Sequence, residues 1–396
     1  MRLQIKKRSI FKQIVLFIFS LGLVGLVFSS GDLSRIGYEV GKVVWLQWWV
    51  RALALCLWGL VLVQPQKTQF KFFSRKNSLY LGLLILVVLL AAARGVNWQQ
   101  SLWGNYYRGD GLLTWLHLIV VSFLASWLLT KKEAQELVPA SLGVAGLLLV
   151  VSSLFPQLGS WLRVGFGNPN IAAGFLVVIA PLVMFGARKF NGIARLVILS
   201  LLFIATIYLQ AWGSVISLGL GLVMYRWLSR SPLNEWVVVA PIVILVIGVI
   251  GLMRWQPVGN SQFTESRVRI FHKLGRAVVQ RPVLGWGWAN VDVAFESVDW
   301  PVAVESEAYV DKAHSELLEL AVTSGFLGLG LYLLFLSGVY KEVVSSLKTN
   351  DEWGRTLLLT CLLYFFHSQT NVISVAESVV FWISLGLLLS TQKLKG

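Results

Sequence analysis

Charge is scarce in this chain. Asp, Glu, Lys and Arg make up 13% of its 396 residues, against about 25% in an ordinary soluble protein, while hydrophobic residues make up 56%. So few charges cannot clothe a water-soluble surface. Cysteine is nearly absent too. Cys56 and Cys361 each fall inside an apolar run, which excludes a disulfide framework or a Cys-based metal site and leaves small apolar packing as their role. No phosphate-binding glycine motif lies between a strand and a helix, and the basic connections are too short for a nucleotide-binding domain, which excludes an ATP-driven pump. The net charge of +15 comes mostly from short clusters between apolar runs. Charge placed that way orients a chain in a membrane, and nucleic acid is excluded as a partner.

What is abundant is apolar length. Several runs exceed the roughly 18 residues that cross a bilayer core of about 30 Å as a helix. The expected fold is therefore all-α and polytopic, with about twelve spans. They fall at 10–28, 43–63, 79–93, 112–129, 137–155, 171–186, 196–210, 213–228, 236–252, 315–338, 355–370 and 377–390. Basic residues mark alternate connections: Arg2 to Lys12, Lys67 to Lys76, Lys131 and Lys132, Arg188 to Arg195, Arg226 and Arg230, Lys341 to Arg355, and Lys393 with Lys395. By the positive-inside rule these are cytoplasmic, as are both termini, and the expected location is the cytoplasmic (inner) membrane. The first segment has the charged start of a signal peptide but no small-x-small cleavage site, and reads as an uncleaved helix. Several of the 18 tryptophans lie near predicted interfaces, where an aromatic belt at headgroup depth accounts for them.

The chain thus divides into residues 1–252 with the N-terminal spans, a large outer loop at 253–313, and residues 314–396 with the last spans. A loop of about sixty residues usually carries function. Within it, residues 265–280 (ESRVRIFHKLGRAVVQ) predict an amphipathic helix. Ile270, Phe271, Leu274, Ala277 and Val278 form its apolar face, and Arg269, Lys273, Arg276 and Gln280 line the opposite one, as in a helix lying on phosphate headgroups. Arg267 falls in the middle of the apolar face near the helix start. A guanidinium there calls for an anion or acceptors, and with the helix dipole it forms a phosphate or pyrophosphate cradle. A snorkelling arginine paired with Glu265 fits the same spacing.

Asp311 to Glu316 (DKAHSE) opens the next apolar helix and sets His314 in its first turn, where the dipole favours the neutral ring of a general base and Glu316 and Glu319 favour the imidazolium. A structural histidine fits equally. His117, His272 and His367 read as packing or hydrogen-bonding groups, and Arg51 is the clearest mid-span charge. Three further outward segments carry glycine, aromatic and arginine residues suited to sugar or phosphate: residues 103–111 (WGNYYRGDG) with Arg108, Arg163 followed by residues 165–170 (GFGNPN) ending at Asn170, and residues 282–287 (PVLGWG) with Gly285 and Gly287. Each also reads as a plain turn. Glu305 and Glu307 lack further ligands for a divalent cation and read as a solvated acidic loop.

In this order, these residues resemble the O-antigen ligase and polymerase superfamily. The resemblance rests on the R-x-x-x-aromatic stretch Arg267 to Phe271, the PVLGWG motif, His314, the Gly325 to Gly328 stretch (GFLG), and the YYRGDG and FGNPN segments, and covers nearly the whole chain. It implies a GT-C-like membrane glycosyltransferase that takes a polyprenyl-pyrophosphate-linked glycan as donor and a glycan, lipid or protein as acceptor, among membrane lipids, with no metal and no other cofactor. It implies that Arg267 grips the pyrophosphate and His314 activates the acceptor hydroxyl. Arg269, Arg108, Arg163, Asn170, Gly285 and Gly287 are the expected substrate contacts. The chain departs from the family pattern at Ser315, where Asn is common, and at Ala211 to Ser214 (AWGS), where many members carry Ser-Arg-Gly. The rival readings are a transporter of the bicarbonate-uptake kind, for which a long outer loop and the lack of a clear internal repeat argue poorly, and a noncatalytic member of the superfamily.

Overall fold

The computed structural model describes residues 2–28, 38–63, 74–230, 267–299, 309–347 and 351–390. In chain order the helices are α1 (Arg2–Gly25), α2 (Tyr38–Val63), α3 (Arg75–Arg94), α4 (Trp98–Trp103), α5 (Leu112–Leu128), α6 (Lys131–Leu154), α7 (Pro156–Leu162) and α8 (Pro169–Ala187). There follow α9 (Gly192–Tyr208), α10 (Trp212–Arg230), α11 (Arg267–Gln280), α12 (Val291–Glu296), α13 (Glu316–Ser346), α14 (Glu352–Ser368) and α15 (Val375–Ser390). Among the described residues there is no strand, only an isolated bridge between Phe28 and Val164. The all-α expectation is met. Helices occupy every expected span except 236–252, which lies outside the described residues.

Five helical stretches are long and apolar enough to cross a membrane: Glu39–Leu62, Arg75–Arg94, Lys131–Leu154, Pro169–Ala187 and Glu316–Ser345. The chain is a multi-pass membrane protein by this measure. Of these five, Pro169–Ala187 is 78% buried and Glu39–Leu62 only 33%. That contrast sets α8 at the centre, where it packs on α6 and α14, with α14 against α15 and α15 against α5. The outer helices turn Phe17, Trp48, Leu55, Trp58 and Leu62 outward, as a lipid-facing surface allows.

Connections expected on one side of the membrane meet one another. Lys12 pairs with Glu133 at 3.1 Å, Lys131 with Asp351 at 3.2 Å and Arg188 with Glu352 at 2.8 Å. Connections expected on the other side do the same: Gly165 N–H donates to Val27 O at 3.0 Å, and Val96 N–H to Trp286 O at 3.0 Å. Inside the bundle Glu39 of α2 caps α15, accepting from Ser374 Oγ and from Val375 N–H at 3.0 Å. A carboxylate there satisfies backbone donors that the helix itself leaves unpaired. Arg51, by contrast, is exposed, its guanidinium 5.0 Å from the Trp48 ring centre.

Candidate functional site

The site begins at a break in a helix. Gly325 interrupts α13 with φ +68, a conformation that costs any residue with a side chain. The residue 281–287 turn fills the gap: Trp286 N–H donates to Val322 O at 2.8 Å, Gly287 N–H to Thr323 O at 3.1 Å, and Phe326 N–H to Pro282 O at 2.7 Å. Backbone groups freed by the break are thereby satisfied by a second backbone, as a span interior requires. A Cβ at Gly285 would run into the Val322 and Thr323 backbone, and one at Gly287 into Gly95. Both glycines therefore serve close packing of chain on chain.

The same turn anchors α11. Ile270, Leu274, Ala277 and Val278 are buried with Val291, Ala294, Phe295, Ala321 and Val322, and Phe271 packs beside them. The apolar face is as expected. The polar face is not: Lys273 is buried with its Nζ 3.9 Å from the Phe295 ring centre, and Arg269 is half-buried, because α12 covers a flank that a helix lying on lipid would expose. Arg267, expected inside the apolar face, starts the helix exposed, and its Nη2 donates to Asn371 Oδ1 at 3.3 Å. Partial burial of the guanidinium holds it below its ordinary value.

His314 lies outside the helix it was expected to open. Ser315 is the N-cap, accepting from Leu318 N–H at 3.4 Å, and His314 precedes it with φ +53. This left-handed backbone is uncommon for a residue with a side chain and typical of functional positions. His314 and Asn371 both line a cavity of about 140 Å³, together with Asp110, Trp288, Lys312 and Glu319. Burial, then the positive charges of Arg267 and Arg108, drive the imidazole down to about 4, so it is neutral at neutral pH. Its buried Nδ1 has no hydrogen-bond partner among the described residues.

A belt of paired charge frames this crevice. Arg108 holds Asp311 with two bonds, at 2.6 and 3.3 Å. Lys312 sits between Asp110 and Glu319, 2.5 Å from the latter. Burial alone would lower the Lys312 ammonium, but its two carboxylates outweigh that and hold it above the ordinary lysine range. Lys312 in turn keeps Asp110 ionised against its own burial. Arg108 is thus paired with Asp311 in this structure. Arg163 and Asn170 are exposed, and neither they nor Arg269 line the crevice; Arg267 is not among its lining residues either and reaches it only through Asn371. Glu265, Glu305 and Glu307 lie outside the described residues.

Asp110 and Lys312 stand inside segments the sequence singles out, but their meeting is a long-range event that spacing does not show. Asn371 and Glu377 were not expected at all. The AWGS stretch does bear on the site, since a Cβ at Gly213 would come within 3.5 Å of Asn371 Nδ2.

No protein-family model matches the chain. Over 170 residues, 40% of its length, it is 26% identical to heme exporter protein C of Paracoccus denitrificans (strain Pd 1222). The match spans 66% of that protein.

Proposed function

We propose that this protein transfers a glycan from a polyprenyl-pyrophosphate carrier to an acceptor hydroxyl at the outer face of the cytoplasmic membrane. The observation that carries the reading is the convergence of His314 and the partner of Arg267, Asn371, on one crevice. In this reading about twelve spans cross the membrane in a GT-C-like arrangement, and both termini are cytoplasmic.

The chemistry follows from the charges. His314 takes the acceptor proton as the hydroxyl oxygen bonds to the anomeric carbon. The bond from that carbon to the phosphate oxygen breaks, and its electron pair leaves with the pyrophosphate, where Arg267 offsets the growing charge. Attack from the face opposite the leaving group inverts the anomeric centre. A histidine at about 4 is a weak base, chiefly because it is buried. The pyrophosphate offsets the positive field of Arg267, the lesser cause, and so raises the His314 value and strengthens the base when donor is in place. The test is incubation of the purified protein with a polyprenyl-pyrophosphate glycan and candidate glycan, lipid and protein acceptors. A mass gain on one acceptor supports the reading, and an intact donor with every acceptor contradicts it.

The similarity to heme exporter protein C favours transport as a second reading, supported by the buried Glu39, Lys42, His367 and Glu377 within helices. For haem as cargo, an imidazole must face an open cavity. His314 lines such a cavity, whereas His117 is not among its lining residues and His367 is fully buried. Titration with hemin separates the readings: a Soret shift lost in His314→Ala favours haem handling, and an unchanged spectrum opposes it.

A further inference from the structure

Glycan transfer as described uses Arg267 and His314 and leaves unexplained a line of polar side chains behind them. Asn371, in the turn between α14 and α15, receives the Arg267 guanidinium on Oδ1 at 3.3 Å. An arginine has no acceptor, so the amide oxygen must face it and the amide NH2 must point inward. There it meets Thr370 Oγ1 at 3.0 Å and His367 Nδ1 at 3.3 Å. Accepting at Nδ1 requires a lone pair, which assigns the His367 proton to Nε2. That nitrogen lies 3.6 Å from Glu377 Oε2, beyond hydrogen-bond reach, and neither atom has a hydrogen-bond partner among the described residues.

Arg267 on one side and Thr370 with the His367 ring on the other therefore fix which way the Asn371 amide faces, and the ring itself is enclosed. His367 and Glu377 have no exposed surface. A Cβ at Gly174 would overlap His367 Nε2, so α8 closes on the ring from behind. The His367 carbonyl also accepts from Asn371 N–H at 3.1 Å, which fixes the turn. Arg267, by contrast, is an exposed residue at the start of its helix, with nothing in its own helix to aim it.

We propose that Asn371 is the positioning residue for Arg267, its amide turned by Thr370 and His367 so that the guanidinium is held beside the crevice ready for an anion. The inference rests on the reading of Arg267 as the anion-binding group. A carboxylate in place of Asn371 would hold the arginine as well but would neutralise it, which explains why an amide suits the task.

The test is calorimetric binding of inorganic pyrophosphate to the purified full chain in detergent, for the unaltered protein, Arg267→Ala, Asn371→Leu and the double variant. Arg267→Ala and Asn371→Leu should each weaken binding, the first by about tenfold or more. The double variant should bind no worse than Arg267→Ala, because Asn371 acts only through the guanidinium. Losses that multiply in the double variant overturn the inference, since Asn371 would then act independently. Asn371→Leu binding like the unaltered protein while Arg267→Ala is weakened also overturns it and leaves the role of Arg267 standing. An Arg267→Ala protein that binds normally, or an unaltered protein that binds no pyrophosphate, removes the functional reading of Arg267 instead, and the inference with it. Asn371→Asp, which keeps an acceptor for Arg267 but cancels its charge and loses the donor to His367, should also bind weakly. Should Asn371→Leu fail to fold, Asn371→Ser enters the same cycle.

Discussion

Trp286 donates its backbone N–H to the carbonyl of Val322 at 2.8 Å, joining the residue 281–287 turn to a helix long enough to span a membrane at the point where Gly325 breaks it. The turn is therefore part of the helix's own hydrogen bonding, and α11 with Arg267 is registered against α13 with His314. Gly325→Ala should cost about 1 to 3 kcal/mol through its positive φ and lower the unfolding temperature in detergent, read by tryptophan fluorescence. An unaltered melting temperature would show that the break is not held by the turn.

The crevice predicts an unusual pH profile. His314 must be neutral to accept a proton, and in the free protein it is neutral above about pH 4. The acidic limb of kcat/KM should therefore lie near that value rather than near the roughly 6.5 of an ordinary histidine. The limb of kcat should lie higher, because bound pyrophosphate favours the imidazolium. Arg267→Ala removes a positive charge and should raise the His314 value in the free protein. Histidine modification rates across pH measure this directly, and a value unmoved by Arg267→Ala would separate the two residues.

His314→Ala should abolish transfer while leaving expression and thermal stability near normal, since the ring lines a cavity and its Nδ1 has no partner among the described residues. Retained transfer would assign the base elsewhere.

Asp311→Asn should leave the Arg108 charge without its carboxylate in a half-buried belt. The expected loss is about 1 to 3 kcal/mol, below that of a fully buried pair because both side chains keep some solvent contact. Denaturant or thermal unfolding reads it, and a loss near zero would mean that solvent already screens the pair.

Much of this was legible in the sequence because it is local. Apolar runs place helices, and helical spacing separates Leu274 and Ala277 from Arg276 on α11. Lys273 was misread because a helical wheel knows one partner, whereas α11 packs on both α12 and α13. The PVLGWG and GFLG motifs stand out as strings, but their union is a backbone contact between distant segments, and no pattern in either string announces it. Arg108 reads as an available cation until Asp311 is brought to it by the fold. Asn371 carries no local signal, since an asparagine after a span fits any turn, and its role depends on Arg267 approaching from another element. The break at Gly325 was hidden because hydropathy runs unbroken through it.

The central claim is tested most directly by comparing transfer from a polyprenyl-pyrophosphate glycan by the purified protein and by Arg267→Ala at matched folding. Loss of the guanidinium should lower the rate by about 3 kcal/mol or more, over a hundredfold. Near-normal transfer by Arg267→Ala would contradict the account.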